Sequence, residues 1–181
     1  MHRAHIRKKT LRPLDRLGYM IATGLGAGSA PVAPGTFGAA EGVVLFLILN
    51  AIVNNTLKLN LAWSLLLFTV INITLYAIGV WASNVAISLT ETDDPSVVVI
   101  DEVSGQLIAL TPVLIAPWLG RDQLEGIIVA FALFRFFDIF KPYPIRKLER
   151  LGAGHGVMAD DALAGVYAAL MTWLGMQWHL I

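Results

Sequence analysis

The chain has 181 residues, enough for one domain. Charged residues make up 14% and hydrophobic residues 56%, against roughly 25% and 45–50% in ordinary soluble domains, so a water-exposed monomer would lack the charge to cover its surface. Thirteen Lys and Arg balance thirteen Asp and Glu, which argues against a nucleic-acid binder, and the lack of cysteine excludes disulfides, thiolate metal sites and a cysteine nucleophile.

In chain order, residues 1–16 form a basic arm, with Arg3, Arg7, Lys8, Lys9, Arg12 and Arg16 against Asp15 alone. The apolar stretch from Leu17 to Ala27 is diluted by glycine, and stronger apolar segments follow it. The arm therefore reads as a cytoplasmic anchor and not as a cleaved leader. Gly24 to Thr36 (GLGAGSAPVAPGT) is too rich in Gly and Pro for a regular helix throughout and is expected as an ordered loop. The apolar runs beyond it lack strand alternation and are long for strands. They predict helices over about 39–55, 61–89, 102–118, 125–141 and 160–178.

Turn signals separate these runs at Asn54–Asn55, Asp93–Asp94–Pro95, Pro117–Gly120 and Pro142–Pro144. The expected fold class is all-α: a compact, membrane-associated bundle of about five main helices in a single domain over 1–181, after the N-terminal Gly/Pro-rich loop. Stretches free of Asp, Glu, Lys and Arg, such as Gly42–Leu57 and Leu59–Thr90, are of membrane length or nearly so. If each helix crosses once from a cytoplasmic N-terminus, only Lys58 and Arg121 among the basic residues face outward, as the positive-inside rule requires. Most carboxylates fall on the inner side too. Acids do not follow that rule, so their gathering has another cause.

The acids concerned are Asp101 with Glu102, Asp138, and Asp160 with Asp161, each expected near a helix boundary. At a helix start an acid serves the helix dipole as readily as a ligand. Asp138 falls near a helix C-terminus, where an anion is disfavoured, so capping does not explain it. Carboxylates converging without equal numbers of cations repel one another unless a divalent ion compensates. Oxygen donors without cysteine or clustered histidine point to Mg²⁺ over zinc.

Arg135, Asp138 and Lys141 have i, i+3, i+6 spacing, which predicts one inclined stripe beside the Pro142 turn, with a metal ligand between two phosphate-binding cations. The competing reading is a salt-bridge ladder, costly to hold among Phe134, Phe136, Phe137 and Phe140. The first glycine loop could offer N–H groups, and Thr36 a hydroxyl, to phosphate, although the spacing is neither a Walker loop nor a dinucleotide fingerprint. Gly152, Gly154 and Gly156 allow close backbone approach before Asp160, or form only a flexible turn; His155 among them is a marginal proton-transfer candidate. Several of the five tryptophans fall near span ends, as in an interfacial belt, and core packing explains them almost as well.

With these residues assembled, the chain resembles the phosphatidylglycerophosphatase A family of bacterial Mg²⁺-dependent lipid phosphatases, from Gly24 to Gly165. The matching pieces are GLGAGSAPVAPGTFG at 24–38, IDEVSG at 100–105, FRFFDIFKPYPI at 134–145 and GHGVMADDALAG at 154–165. The resemblance implies hydrolysis of phosphatidylglycerophosphate to phosphatidylglycerol and phosphate, with Mg²⁺ as cofactor and a phospholipid as substrate. It also implies a multi-pass protein of the bacterial inner membrane with its site facing the cytoplasm. By motif position it makes Asp101, Glu102, Asp138, Asp160 and Asp161 metal ligands, with Asp138, Asp160 and Asp161 catalytic, and Thr36, Arg135 and Lys141 phosphate-binding. Ala153, where the family pattern suggests glycine, and Ala39, where serine is frequent, depart from it without removing a charge.

The expected chemistry is attack by an activated water with Asp160 or Asp161 as base, an aspartyl-phosphate route remaining the alternative. A Mg²⁺-dependent lipid phosphotransferase fits less well, because its D-G-x-x-A-R start is absent. A carboxylate-lined ion transporter would place ionisable groups at mid-span, whereas these acids lie near span ends. The structural alternative is a soluble helical bundle.

Overall fold

The computed structural model describes residues 12–92, 95–119 and 122–181. The expectations for Arg3, Arg7, Lys8, Lys9, Asp93, Asp94 and Arg121 fall outside them. Among the described residues the secondary structure is helical throughout: α1 (Pro13–Ala22), α2 (Pro34–Ala51), α3 (Leu61–Thr90), α4 (Ile100–Ala109), α5 (Gln123–Phe140), α6 (Ile145–Leu148) and α7 (Ala153–Gln177).

Local chemistry sets the ends of these helices. Pro13 and Pro34 occupy the first turns of α1 and α2, where a missing N–H costs nothing. The Asn60 side chain accepts from the Trp63 N–H at 3.1 Å to start α3, and Asp122 accepts from the Leu124 N–H at 2.7 Å to start α5. Helices α3 and α5 end on residues in the left-handed region, Glu91 and Lys141.

Four expected boundaries move. The Leu17 region is part of α1, a helix not expected from the sequence. Helix α2 begins at Pro34, so the Gly/Pro-rich segment is a run of 3₁₀ turns at Gly24–Ser29 and its last residues, Gly35 and Thr36, are already helical. The Asn54–Asn55 break is bridged by a π-turn (Ile52–Leu57) that carries the helix on to Lys58. The run expected as one helix over 102–118 is α4 followed by two 3₁₀ turns, Thr111–Leu114 and Ala116–Leu119, because Pro112 cannot continue the α-helical ladder.

The helices run back and forth between two ends of a bundle. At one end, the Val99 N–H donates to the Ala22 carbonyl, and the Gly154 N–H donates to Asn84 Oδ1 near the end of α3. At the other, Asn50 donates to Gln123, and Phe46 meets Phe68 edge-on at 5.7 Å. Helix α4 lies in the middle: Val103, Leu107 and Ala109 are buried, and Gly38 and Gly42 let α2 approach so closely that an added Cβ would stand 2.8 Å from Val99 and from Gln106.

Helices α2 with its π-turn (Pro34–Leu57), α3 and α7 are each long and apolar enough to cross a membrane. Their outward faces carry Leu47, Ile48, Leu66, Ile73, Val166 and Leu170, all at least 48% exposed, a surface suited to lipid and not to water. That exposure disfavours the soluble-bundle alternative. Trp63, Trp173 and Trp178 are exposed at the end remote from the acids, as an interfacial belt requires.

Candidate active site

The starts of α2, α4 and α7 meet the end of α5 around a cleft of about 750 Å³ lined by Asp101, Glu102, Asp138, Lys141, Asp160 and Asp161. Asp101 and Glu102 occupy the first turn of α4, where the helix dipole favours anions. Asp160 and Asp161 stand about two turns inside α7, which begins at Ala153, so neither caps a helix. Of the glycine cluster before them, Gly152 caps the helix at φ +73° and Gly154 and Gly156 form its first turn. Gly154 rests against the Val80 carbonyl of α3, where a Cβ would not fit.

The five acids fall into two groups. Asp101, Glu102 and Asp161 each offer an oxygen to a cluster whose members lie within 4.8 Å of one another. Asp101 Oδ1, Glu102 Oε2 and Asp161 Oδ2 are fully enclosed and have no hydrogen-bond partner. Buried anionic oxygens left in this way are costly unless a cation meets them. These three residues could hold a metal ion, since the largest separation is close to the span of about 4.2 Å across a Mg²⁺ octahedron with bonds near 2.1 Å.

The other two acids are already held. Arg135 Nη1 donates to Asp138 Oδ2 at 2.5 Å, and Lys141 Nζ donates to Asp160 Oδ2 at 2.5 Å. Arg135 also leans toward α2, since a Cβ on Gly35 would collide with Glu102 Oε1 and stand 3.1 Å from Arg135 Nη1. The expected stripe is thus half formed. Arg135 and Asp138 share a face of α5, but Lys141 leaves the helix at φ +43° and turns to α7. Asp138 is one of the acidic neighbours of Asp161, so the two groups adjoin.

Asp101 and Glu102 lie outside the three long spans. Burial, reinforced by the charges of Glu102 and Asp161, pushes the Asp101 carboxyl well above its usual range. Burial also raises Glu102, with the Arg135 guanidinium opposing.

Thr36 is exposed on the first turn of α2 and does not line the cleft, although its neighbour Pro34 does. His155 is exposed and likewise absent from the lining. Sequence reasoning missed the wall formed by Pro95, Ser96 and Val98, and missed Gly35 as the contact that lets Glu102 and Arg135 close over α2. The Pro34–Gly35 pair, a helix-start signal followed by a residue without a side chain, was the available clue.

Fold and site together define an all-helical protein of membrane type with a carboxylate- and cation-lined cleft at one end. Residues 20–176 match the family model for phosphatidylglycerophosphatase A. A Haemophilus influenzae phosphatidylglycerophosphatase A is 34% identical over 90% of this chain and 90% of its own length; its Escherichia coli counterpart is 27% identical over 90% and 86%. A Bacteroides thetaiotaomicron protein named as a candidate phosphatidylinositol-3-phosphatase is 41% identical over 86% of this chain and 91% of its own. No solved structure matches the chain. The chain belongs to the phosphatidylglycerophosphatase A family.

Proposed function

We propose that this chain hydrolyses the terminal phosphate monoester of phosphatidylglycerophosphate, releasing phosphatidylglycerol and inorganic phosphate, with Mg²⁺ as its cofactor. Membership of the family supports the reaction. The observation that carries the chemistry is the trio Asp101, Glu102 and Asp161, whose enclosed oxygens cluster together with no hydrogen-bond partner from the protein. The trio offers only hard oxygen donors, a set that fits Mg²⁺. Bound there, the ion would polarise the phosphoryl group and lower the pKa of the attacking water.

The remaining work falls to side chains beside the trio. Arg135 and Lys141 are placed to hold the equatorial phosphate oxygens, and Arg135 Nε is enclosed without a partner. The proton of the attacking water passes to Asp160, whose Oδ1 is enclosed and unpartnered and lies outside the trio. Before phosphate enters, Asp138 keeps Arg135 in position through its ion pair.

The cleft end carries Arg12, Arg16, Arg146, Lys147 and Arg150, while Lys58 lies at the opposite end. By the positive-inside rule this supports a multi-pass protein of the bacterial inner membrane with the cleft facing the cytoplasm.

The test is phosphate release by purified protein from phosphatidylglycerophosphate and, in parallel, from phosphatidylinositol 3-phosphate, with Mg²⁺ and with chelator. Chelator-sensitive release faster from phosphatidylglycerophosphate is the expected result. A faster rate on the inositol lipid would transfer the reading to the substrate class in the Bacteroides relative's name, and no release from either would defeat it.

A further inference from the structure

The two ion pairs at the edge of the trio point beyond a single ion. We propose that Asp138 and Asp160 belong to a second divalent-cation site, which Arg135 and Lys141 keep closed until a phosphate group draws these two cations away. The inference rests on the reading of the trio as a Mg²⁺ site.

Charge motivates it first. Among the described residues the cleft gathers five carboxylates and two cations. Fully ionised, that group stands at net −3, and one divalent ion brings it to −1. A phosphate monoester carries about −1.5 to −2 at neutral pH, so its arrival at a one-ion site would return the cleft to roughly −3. A second divalent ion entering with the phosphate leaves roughly −1. In a cleft walled by apolar helices such differences are weakly screened.

Geometry supplies the second argument. Arg135 and Lys141 each contact one oxygen, Oδ2, of their partner acids. Asp160 is only 5% exposed, and its other oxygen, Oδ1, is enclosed without a partner. Asp160 is therefore a buried carboxylate half satisfied by a lysine. Asp161, 3% exposed, has both Asp138 and Asp160 as acidic neighbours and can be shared between two ions. Such sharing is how paired divalent ions are usually held on phosphoryl-transfer enzymes, about 3.5–4 Å apart.

Both cations sit where an exchange is physically short. Lys141 is the left-handed cap that ends α5, with a flexible four-carbon stem, and its side chain remains 26% exposed to the cleft. Arg135 lies on the last turns of α5 and can reach Asp138 or a ligand beside Gly35 from the same backbone position. Phosphate binding and second-ion binding are then thermodynamically linked, and each must strengthen the other by the same factor.

The measurement is the number of Mn²⁺ ions bound per full-length chain in lipid nanodiscs, read from the loss of free-ion electron paramagnetic resonance signal without and with saturating inorganic phosphate. One ion without phosphate and two with it are expected, with the second ion's apparent Kd lowered at least tenfold by phosphate. Lys141→Met opens Asp160 Oδ2 and should bind the second ion without phosphate. Asp160→Asn should bind one ion without phosphate and still only one with it, which guards against a misfolded Lys141 variant. An ion count of one, or of two, that phosphate does not change overturns the exchange while leaving the trio intact. No ion bound under either condition overturns both the exchange and the Mg²⁺ reading on which it rests.

Discussion

Asp101 and Lys141 illustrate how much of this site depends on single side chains held against their preferences. Asp101 is pushed toward its protonated form by burial and by the neighbouring acids Glu102, Asp161 and Asp160. A carboxyl whose folded-state pKa is raised favours the folded state at acid pH, and that stability is lost as pH rises through the raised value. Metal-free protein is therefore expected to melt at higher temperature as pH falls from neutral toward the ordinary carboxylate range, and added Mg²⁺ should reverse the trend at neutral pH. Asp101→Asn should flatten the metal-free dependence and abolish activity. A scan of melting temperature against pH, with and without the ion, checks both. Removing the charge of Arg135 or Lys141, as in Lys141→Met, should lower kcat on the order of 10²–10³-fold, the usual cost of a lost transition-state contact.

Ala153 is held against its preference in a different way. It sits at φ +47°, a region that costs an alanine roughly 1–2 kcal/mol relative to glycine. This accounts for the glycine suggested by the family pattern there. Ala153→Gly should stabilise the protein by about 1 kcal/mol and raise Tm by roughly 2–4 °C, with activity retained. Thermal unfolding of the variant against wild type decides it. Lys141 pays the same strain at φ +43°, and the direction it gives the ammonium toward Asp160 is the return.

At the scale of elements, the close approach of α2 to α4 fixes the cleft. Gly35, Gly38 and Gly42 form the α2 side, and an added Cβ at Gly38 would stand 2.8 Å from Val99 Cβ and 2.9 Å from its carbonyl oxygen. Gly38→Ala should cost about 1–3 kcal/mol as α2 is forced outward, and should lower activity by moving Gly35 away from Glu102 and Arg135. Melting temperature and phosphate release measured together test this, and an unchanged Tm would contradict the packing argument.

These helices were only partly legible in the sequence. Long charge-free runs located α3 almost to the residue and α5 to within two residues. Pro112 and Pro34 carried the information that the third run breaks early and that the glycine loop ends in a helix. An apolar run conceals a proline within it, and a glycine-rich stretch conceals a helix whose glycines are there for close packing. The acids were legible as a group, because a charge-poor chain leaves few places for them. Their division into a trio with enclosed, unpartnered oxygens and two acids paired with cations was not. The Lys141–Asp160 contact joins residues 19 apart on two elements, and no spacing rule announces it. Thr36 was chosen for its hydroxyl, and the turn of α2 carries it to an exposed position that does not line the cleft.

Across the whole molecule, charge and apolar surface are segregated. Among the described residues, the cleft end holds the five clustered acids with most of the basic residues, and the opposite end holds exposed tryptophans with Lys58 and few other charges. The cysteine-free chain makes the orientation directly readable. In right-side-out bacterial vesicles, a membrane-impermeant maleimide should label Thr56→Cys and spare Arg150→Cys, and in inverted vesicles the pattern should reverse. Arg150→Cys labelled from outside would place the cleft on the other face of the membrane.

The role proposed for Asp101, Glu102 and Asp161 is to hold the ion with which this chain removes a lipid phosphate. It is tested most directly by phosphate release from phosphatidylglycerophosphate in vesicles, measured across a Mg²⁺ titration for wild type and for Asp161→Asn matched for folding. Mg²⁺-dependent release by the wild type and a loss on the order of 10²-fold or more in the variant are expected; release by Asp161→Asn at the wild-type rate and with the wild-type Mg²⁺ dependence would overturn that role.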